Sequence, residues 1–244
     1  MKQAIETYLS ENHYPKFCLK AVLFDMDGVL YDSMSNHAEA WNRIMNMHGL
    51  PFSLEDAYLH EGRTGADTIE YICNQHGLHL SDDDIRSLYE EKAKYFETCP
   101  PPQPMPGSYE LLQKVVRDGL MPMIVTGSGQ VTLWDELNVY FPGIFRRDRM
   151  VTSLDVKRGK PNPDPYLMAL DKGQLQPQEA IVVENAPLGV EAARAAGLFT
   201  IAVNTGILPD QYLLDAGANL LFRDMPELCA KWDAIRDTLC SCGE

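Results

Sequence analysis

The sequence predicts an α/β fold: a doubly wound, Rossmann-like parallel sheet core carrying an inserted all-helical cap domain. Three observations point there. Short runs that are apolar on both faces recur along the chain, and amphipathic helical stretches alternate with them. One long segment then breaks the alternation with helical patterns alone. Strands without a polar face need helices on both sides, which is the parallel-sheet arrangement. The expected strands, in order, are 20–24 (Lys-Ala-Val-Leu-Phe), 121–125 (Met-Pro-Met-Ile-Val), 150–152, 180–183, 199–203 and 219–222. Helices are expected over 108–118, 164–172, 188–196 and 209–216. The interrupting segment, 34–104, reads as helices over 34–48, 66–76 and 81–96, and the proline run from Pro100 to Pro106 marks the return. The expected organisation is therefore a core made of 1–33 and 105–244 and a cap of 34–104, hinged near Ser33 and Pro104. Ligands of such sheets gather at the carboxyl ends of the strands.

Charge narrows the function. The 244 residues hold 35 acids against 21 bases, a net charge of −14. A nucleic-acid partner is not expected, since that needs a basic face to displace phosphate counterions. A small phosphate ester stays possible if a metal and a few cations are gathered locally. Residues 1–20 contain no apolar stretch with a small-residue cleavage site, and no run reaches the roughly 18 apolar residues of a membrane span. The expectation is a cytoplasmic protein without a membrane partner, and a monomer. Six cysteines lack paired spacing; Cys240-Ser241-Cys242 reads as a flexible thiol tail.

The chemistry starts at the end of the first strand. Phe24-Asp25-Met26-Asp27-Gly28 places two carboxylates two residues apart, followed by a glycine that permits a sharp turn. Asp-x-Asp alone is a common accident, but here it closes a buried strand and precedes Gly28-Val29-Leu30 and a helix. Three further strand-end features follow in order: Thr126-Gly127-Ser128, Lys160 in Gly159-Lys160-Pro161, and Glu184-Asn185. Taken singly they read as a strand-end hydroxyl, a surface charge and a helix-capping acid. Together the four resemble the ordered motifs of the haloacid-dehalogenase-like phosphotransferases, over nearly the whole chain beyond residue 18. Within that superfamily the chain is similar to the β-phosphoglucomutase-like branch, whose helical cap is inserted at the same place.

That resemblance implies an activity and a site. Asp25 would attack phosphorus and form an aspartyl-phosphate, and Asp27 would act as general acid and base. Thr126, with the neighbouring Gly127 and Ser128, would hold the phosphate; Lys160 would pair with Asp25 and the phosphate. Mg2+ would be held by Asp25, the Asp27 carbonyl and the acidic fourth motif, Glu184 and Asn185. His37, after the first motif, and Lys92, on the last cap helix, match features of the branch. His37 equally suits packing, and Lys92 equally suits an exposed helical face, flanked as it is by Glu90, Glu91 and Lys94.

The chain departs from the family pattern in informative places. Asn185 stands where an aspartate is common, which removes one negative charge. Glu61, in the cap segment His60-Glu61-Gly62-Arg63-Thr64-Gly65, is expected either to restore that charge at the metal or to remain a solvated loop acid. Glu61 and Gly65 occupy the places of a mutase lysine and arginine, Arg63 is displaced, and Gly129 stands for a further lysine. A mutase must grip a second phosphate, so the loss of these cations favours a hydrolase of a small phosphorylated metabolite or inorganic pyrophosphate. Arg63 then becomes a phosphate clamp on the cap. The alternatives are a β-phosphoglucomutase-like sugar-phosphate mutase and a non-catalytic phosphate-binding protein that kept the fold. Asp27 argues against C–Cl cleavage, because dehalogenases of the superfamily lack the second aspartate.

Overall fold

The structure is a computed structural model describing residues 1–129 and 133–241; Cys242, quoted above, lies outside the described residues. A helix α1 (Lys2–Glu11) precedes β1 (Ala21–Phe24) and the two-residue β2 (Tyr31–Asp32). Four helices follow: α2 (Met34–Met47), α3 (Leu54–Leu59), α4 (Gly65–Gln75) and α5 (Asp82–Phe96). The chain returns through β3 (Gln103–Pro104) and continues as α6 (Ser108–Arg117), β4 (Met121–Val125), α7 (Leu133–Tyr140) and β5 (Met150–Val151). Then come α8 (Asp164–Gly173), β6 (Ala180–Glu184), α9 (Pro187–Ala195), β7 (Phe199–Val203), α10 (Asp210–Asp215), β8 (Leu220–Phe222) and α11 (Met225–Ser241).

Six strands form one parallel sheet in the order β5-β4-β1-β6-β7-β8. β1 lies where the strand order reverses, so its carboxyl end opens into the crevice that such sheets offer to ligands. Alternation along the strands divides the core. Val22 and Phe24 of β1 join the cluster packed by α1, α6 and α11, and Ala21 and Leu23 join the cluster under α8 and α9. Helices α2 to α5 enclose a separate cluster that includes Ile44, Phe52, Ile69, Ile72, Ile85 and Leu88. The antiparallel pairing of β2 with β3, Tyr31 opposite Pro104, ties the two connections together where the helical cap leaves the core.

Four helices lie outside the sequence reading: the short α3 of the cap, and α1, α7 and α11 of the core. α1 buries Ile5, Tyr8 and Leu9, with the Tyr8 hydroxyl donating to the Gly197 carbonyl at 2.8 Å. α7 contributes Leu137 to the sheet cluster. α11 corrects the flexible-tail expectation at Cys240: the helix runs to Ser241 because Leu228, Trp232, Ile235 and Leu239 form an apolar stripe on the core. The five described cysteines are free thiols. Among the described residues, no helix is long and apolar enough to cross a membrane.

Candidate active site

The sheet delivers the first motif to the crevice by register. Asp25 follows β1 directly, and its N–H donates to the Val183 carbonyl at 3.0 Å, so its backbone is held by the neighbouring strand. The turn then depends on Gly28, whose φ is +79°. A Cβ there would stand 2.1 Å from Asn185 Nδ2, so the glycine is needed both for conformation and for the approach of the fourth motif.

Beneath Asp25 lies a buried charge cluster. Lys160 Nζ donates to Asp25 Oδ1 at 2.5 Å, to Glu184 Oε1 at 2.6 Å and to the Val125 carbonyl at 3.0 Å, with its side chain 1% exposed. The two carboxylates hold the ammonium pKa well above its ordinary value against the effect of burial. Glu184 is fully committed: Oε1 also accepts from the Tyr166 hydroxyl at 3.0 Å, and Oε2 accepts the N–H groups of Asn185 and Ala186 at 2.9 and 3.0 Å. Glu184 Oε2 thus serves the turn before α9 and is not that helix's cap, since the N-cap Ala186 has no side-chain cap, and the hydrogen bonds of Glu184 fix Lys160. Burial pushes the Asp25 carboxyl up to about 8; Lys160 opposes this, while Glu184 and Asp27 add to it.

Asp27 faces a different set of groups. Its Oδ1 accepts from the Ser33 hydroxyl at 2.5 Å and lies 3.2 Å from His37 Nε2, and His37 Nδ1 lies 2.7 Å from Lys92 Nζ. A protonated lysine can only donate, so Nδ1 accepts and the ring proton sits on Nε2, donating to Asp27. Burial, then the Lys92 charge, hold the His37 pKa low and keep the ring neutral. The Ser33 and His37 contacts and the nearby Lys92 charge hold Asp27 below its usual value although burial acts the other way. Lys92 is 4% exposed and stands 5.1 Å from the ring centroids of both Trp41 and Phe96, so it is a buried group inside the cap, behind His37, rather than a surface charge.

The cap loop closes the site from above. Glu61 Oε1 accepts from Asn185 Nδ2 at 2.8 Å, which places it at the fourth motif and not in solvent. Burial, then Asp25, raise its pKa well above the ordinary value. A Cβ on Gly127 would lie 2.7 Å from the Gly62 carbonyl oxygen, and one on Gly159 2.9 Å from Thr64 Cγ2, so the loop rests directly on the second and third motifs. The Arg63 guanidinium lies 4.6 Å above the Tyr71 ring, with a buried Nε that has no hydrogen-bond partner. On the core side, Thr126 Oγ1 accepts from the Ser128 N–H at 3.0 Å and keeps its own proton to donate. Asp25, Asp27, His37, Glu61, Arg63, Lys92, Thr126, Gly127 and Ser128 all line one cavity of about 70 Å3. Lys160, Glu184 and Asn185 support it from below.

An oxygen-rich donor set is present for a cation. The buried Asn185 Oδ1 has no hydrogen-bond partner among the described residues. The carboxylates of Asp25, Asp27, Glu61 and Glu184 outnumber Lys160 and Lys92, and this excess adds to burial in raising the pKa values of Asp25 and Glu61. Oxygen donors with surplus negative charge suit a hard divalent ion. No described group of three or more His, Cys, Asp or Glu side chains has the arrangement of a metal cluster. The candidate set is of another kind, because it draws on a backbone carbonyl and an amide.

Comparison with known proteins agrees with this architecture. The family model of the haloacid dehalogenase-like hydrolases matches residues 22–203. A validoxylamine A 7'-phosphate phosphatase of Streptomyces hygroscopicus subsp. limoneus is 31% identical, over 88% of this chain and 98% of its own. A phosphorylated carbohydrates phosphatase of Thermotoga maritima is 32% identical, over 84% and 94%. A Bacteroides vulgatus structure, provisionally described as a beta-phosphoglucomutase, superposes with a TM-score of 0.95 at 54% identity, covering 98% of this chain and 97% of that one. The chain belongs to the haloacid dehalogenase-like hydrolase family, and it is an enzyme of that family's phosphatase and phosphotransferase kind.

Proposed function

We propose that this chain is a Mg2+-dependent phosphohydrolase that works through an aspartyl-phosphate on Asp25 and acts on a small phosphorylated metabolite or inorganic pyrophosphate. The observation that carries the reading is the different setting of the two first-motif carboxylates. Asp25 is locked to Lys160 at the floor of the cavity, aimed to attack phosphorus. Asp27 is held by Ser33 and His37, where it can give a proton to the leaving oxygen and later take one from water. The Thr126 hydroxyl and the Gly127 and Ser128 segment meet the transferring phosphoryl group, and Lys160 offsets its charge.

Asp25, the Asp27 carbonyl, Asn185 and Glu61 would hold the ion, with Glu184 supporting them through Lys160. Bound there, Mg2+ would neutralise charge on the phosphoryl oxygens. The core and cap are assigned to 1–33 with 105–244 and to 34–104. The reading carries with it a cytoplasmic monomer. A mutase remains the second reading, favoured by the Bacteroides vulgatus similarity; the absence of cations at Glu61, Gly65 and Gly129 disfavours it.

The test is phosphate release, with Mg2+, from a panel holding pyrophosphate and several sugar phosphates. Asp25→Asn should abolish release. Turnover of β-glucose 1-phosphate to glucose 6-phosphate, without phosphate release, would establish the mutase instead.

A further inference from the structure

Tyr89, on α5, was not among the residues the motifs single out, yet it bounds the cavity on the cap side. Its ring occupies the room that a side chain at residue 65 would take: a Cβ built on Gly65 would lie 2.1 Å from both Tyr89 Cδ2 and Cε2. Trp41 backs the ring, with centroids 6.2 Å apart. Tyr89 also lines a second hollow at the root of the cap, beside Phe96, Pro101, Pro102 and Tyr140. The ring is therefore a wall between the two spaces.

A bulky leaving group cannot be admitted simply by raising the cap. The Glu61–Asn185 contact at 2.8 Å and the His37–Asp27 contact at 3.2 Å both join cap to core. The Gly62 carbonyl also sits against Gly127 with no space for a methyl group. A group too large for the cavity holds the cap off the core and forfeits these contacts, including that of His37 with Asp27. Only a leaving group that fits under Tyr89 reacts with the site fully assembled.

We infer that Tyr89 is a specificity-determining residue whose ring restricts the leaving group to compact ones, of phosphate size, and excludes a hexose. The inference rests on the hydrolase reading. It is tested by kcat/KM for pyrophosphate and for glucose 6-phosphate, with Mg2+, in the wild type and in Tyr89→Phe, Tyr89→Leu and Tyr89→Ala, each checked for folding by thermal unfolding. Expected are a wild-type preference for pyrophosphate of about tenfold or more, the same preference in Tyr89→Phe, and a shift of about tenfold or more towards glucose 6-phosphate in the two truncations. A wild type that prefers glucose 6-phosphate or treats the two alike overturns the inference, whatever the variants do. So does an unchanged ratio in folded Tyr89→Leu, which keeps apolar fill if Tyr89→Ala does not fold. A folded wild type that releases phosphate from no member of the wider panel removes the hydrolase reading itself, and the inference with it.

Discussion

Lys160 is the residue on which the floor of the site depends. It is the cation between two buried carboxylates, Asp25 and Glu184, and removing one partner of such a cluster is costlier than the cluster's net contribution to stability. Lys160→Met should lower stability by about 3–5 kcal/mol in metal-free buffer, measured by urea unfolding, whereas Asp25→Asn should cost less because Glu184 keeps its ammonium. Glu61 is the complementary case. Glu61→Gln keeps an amide oxygen beside Asn185 but removes charge, so the Mg2+ concentration giving half-maximal activity should rise several-fold; an unchanged Mg2+ dependence would separate Glu61 from the metal. Asp25, Thr126 and Glu184 were legible because they close or follow strands; Lys160 lies in the connection between β5 and α8 and was legible from its Gly-Lys-Pro setting and its order in the chain. The cap residues were less so. Lys92 sits among Glu90, Glu91 and Lys94, which suggests an exposed face, but it continues the stripe of Ile85 and Leu88 at helical spacing, and that phase buries it. Tyr89 gave no local signal, since its role arises from Gly65 on another helix.

Elements were legible where periodicity and burial agree. The six sheet strands and the helices α6, α8, α9 and α10 appear within one or two residues of the expected bounds, because strands buried on both faces leave uninterrupted apolar runs. α3 was not expected: it spans only six residues and declares itself through the Ser53–Asp56 capping box. α1 and α11 are fixed by distant partners, α11 by packing on α6 and α1 by the Tyr8, Phe17 and Phe199 rings. The joint between α6 and α11 provides a control remote from the chemistry. Gly107 caps α6 at φ +84°, and a Cβ there would lie 2.8 Å from Pro226 N, a backbone atom that cannot swing aside. Gly107→Ala should reduce stability by about 1–3 kcal/mol while leaving kcat/KM of the folded enzyme unchanged. An equal fall in both would mean that this joint sets the geometry of the crevice.

At the scale of the molecule, a net charge of −14 surrounds a site meant for an anion, so the few cations of the crevice must be present and charged when substrate arrives. Lys92 is the one whose charge is in question. Burial brings its pKa down to about 8, with the Asp27 carboxylate pulling the other way. Its protonated form donates to His37, which in turn holds Asp27 of the core, so activity should fall as pH rises through about 8. Stability should move in the opposite sense. A lysine whose folded pKa lies below its unfolded value of 10.5 penalises the fold wherever it must be charged. That penalty is fully present below pH 8 and is relieved between about 8 and 10.5. Its size is at most about 3.5 kcal/mol, because each pKa unit corresponds to roughly 1.4 kcal/mol. Lys92→Met should therefore raise the melting temperature at pH 7, lower kcat/KM, and remove the alkaline limb of the pH–rate profile near 8. Paired pH–rate and pH–melting curves on wild type and variant read both trends. A variant that loses stability at pH 7 would show that the Trp41, Phe96 and His37 contacts of Lys92 outweigh its burial.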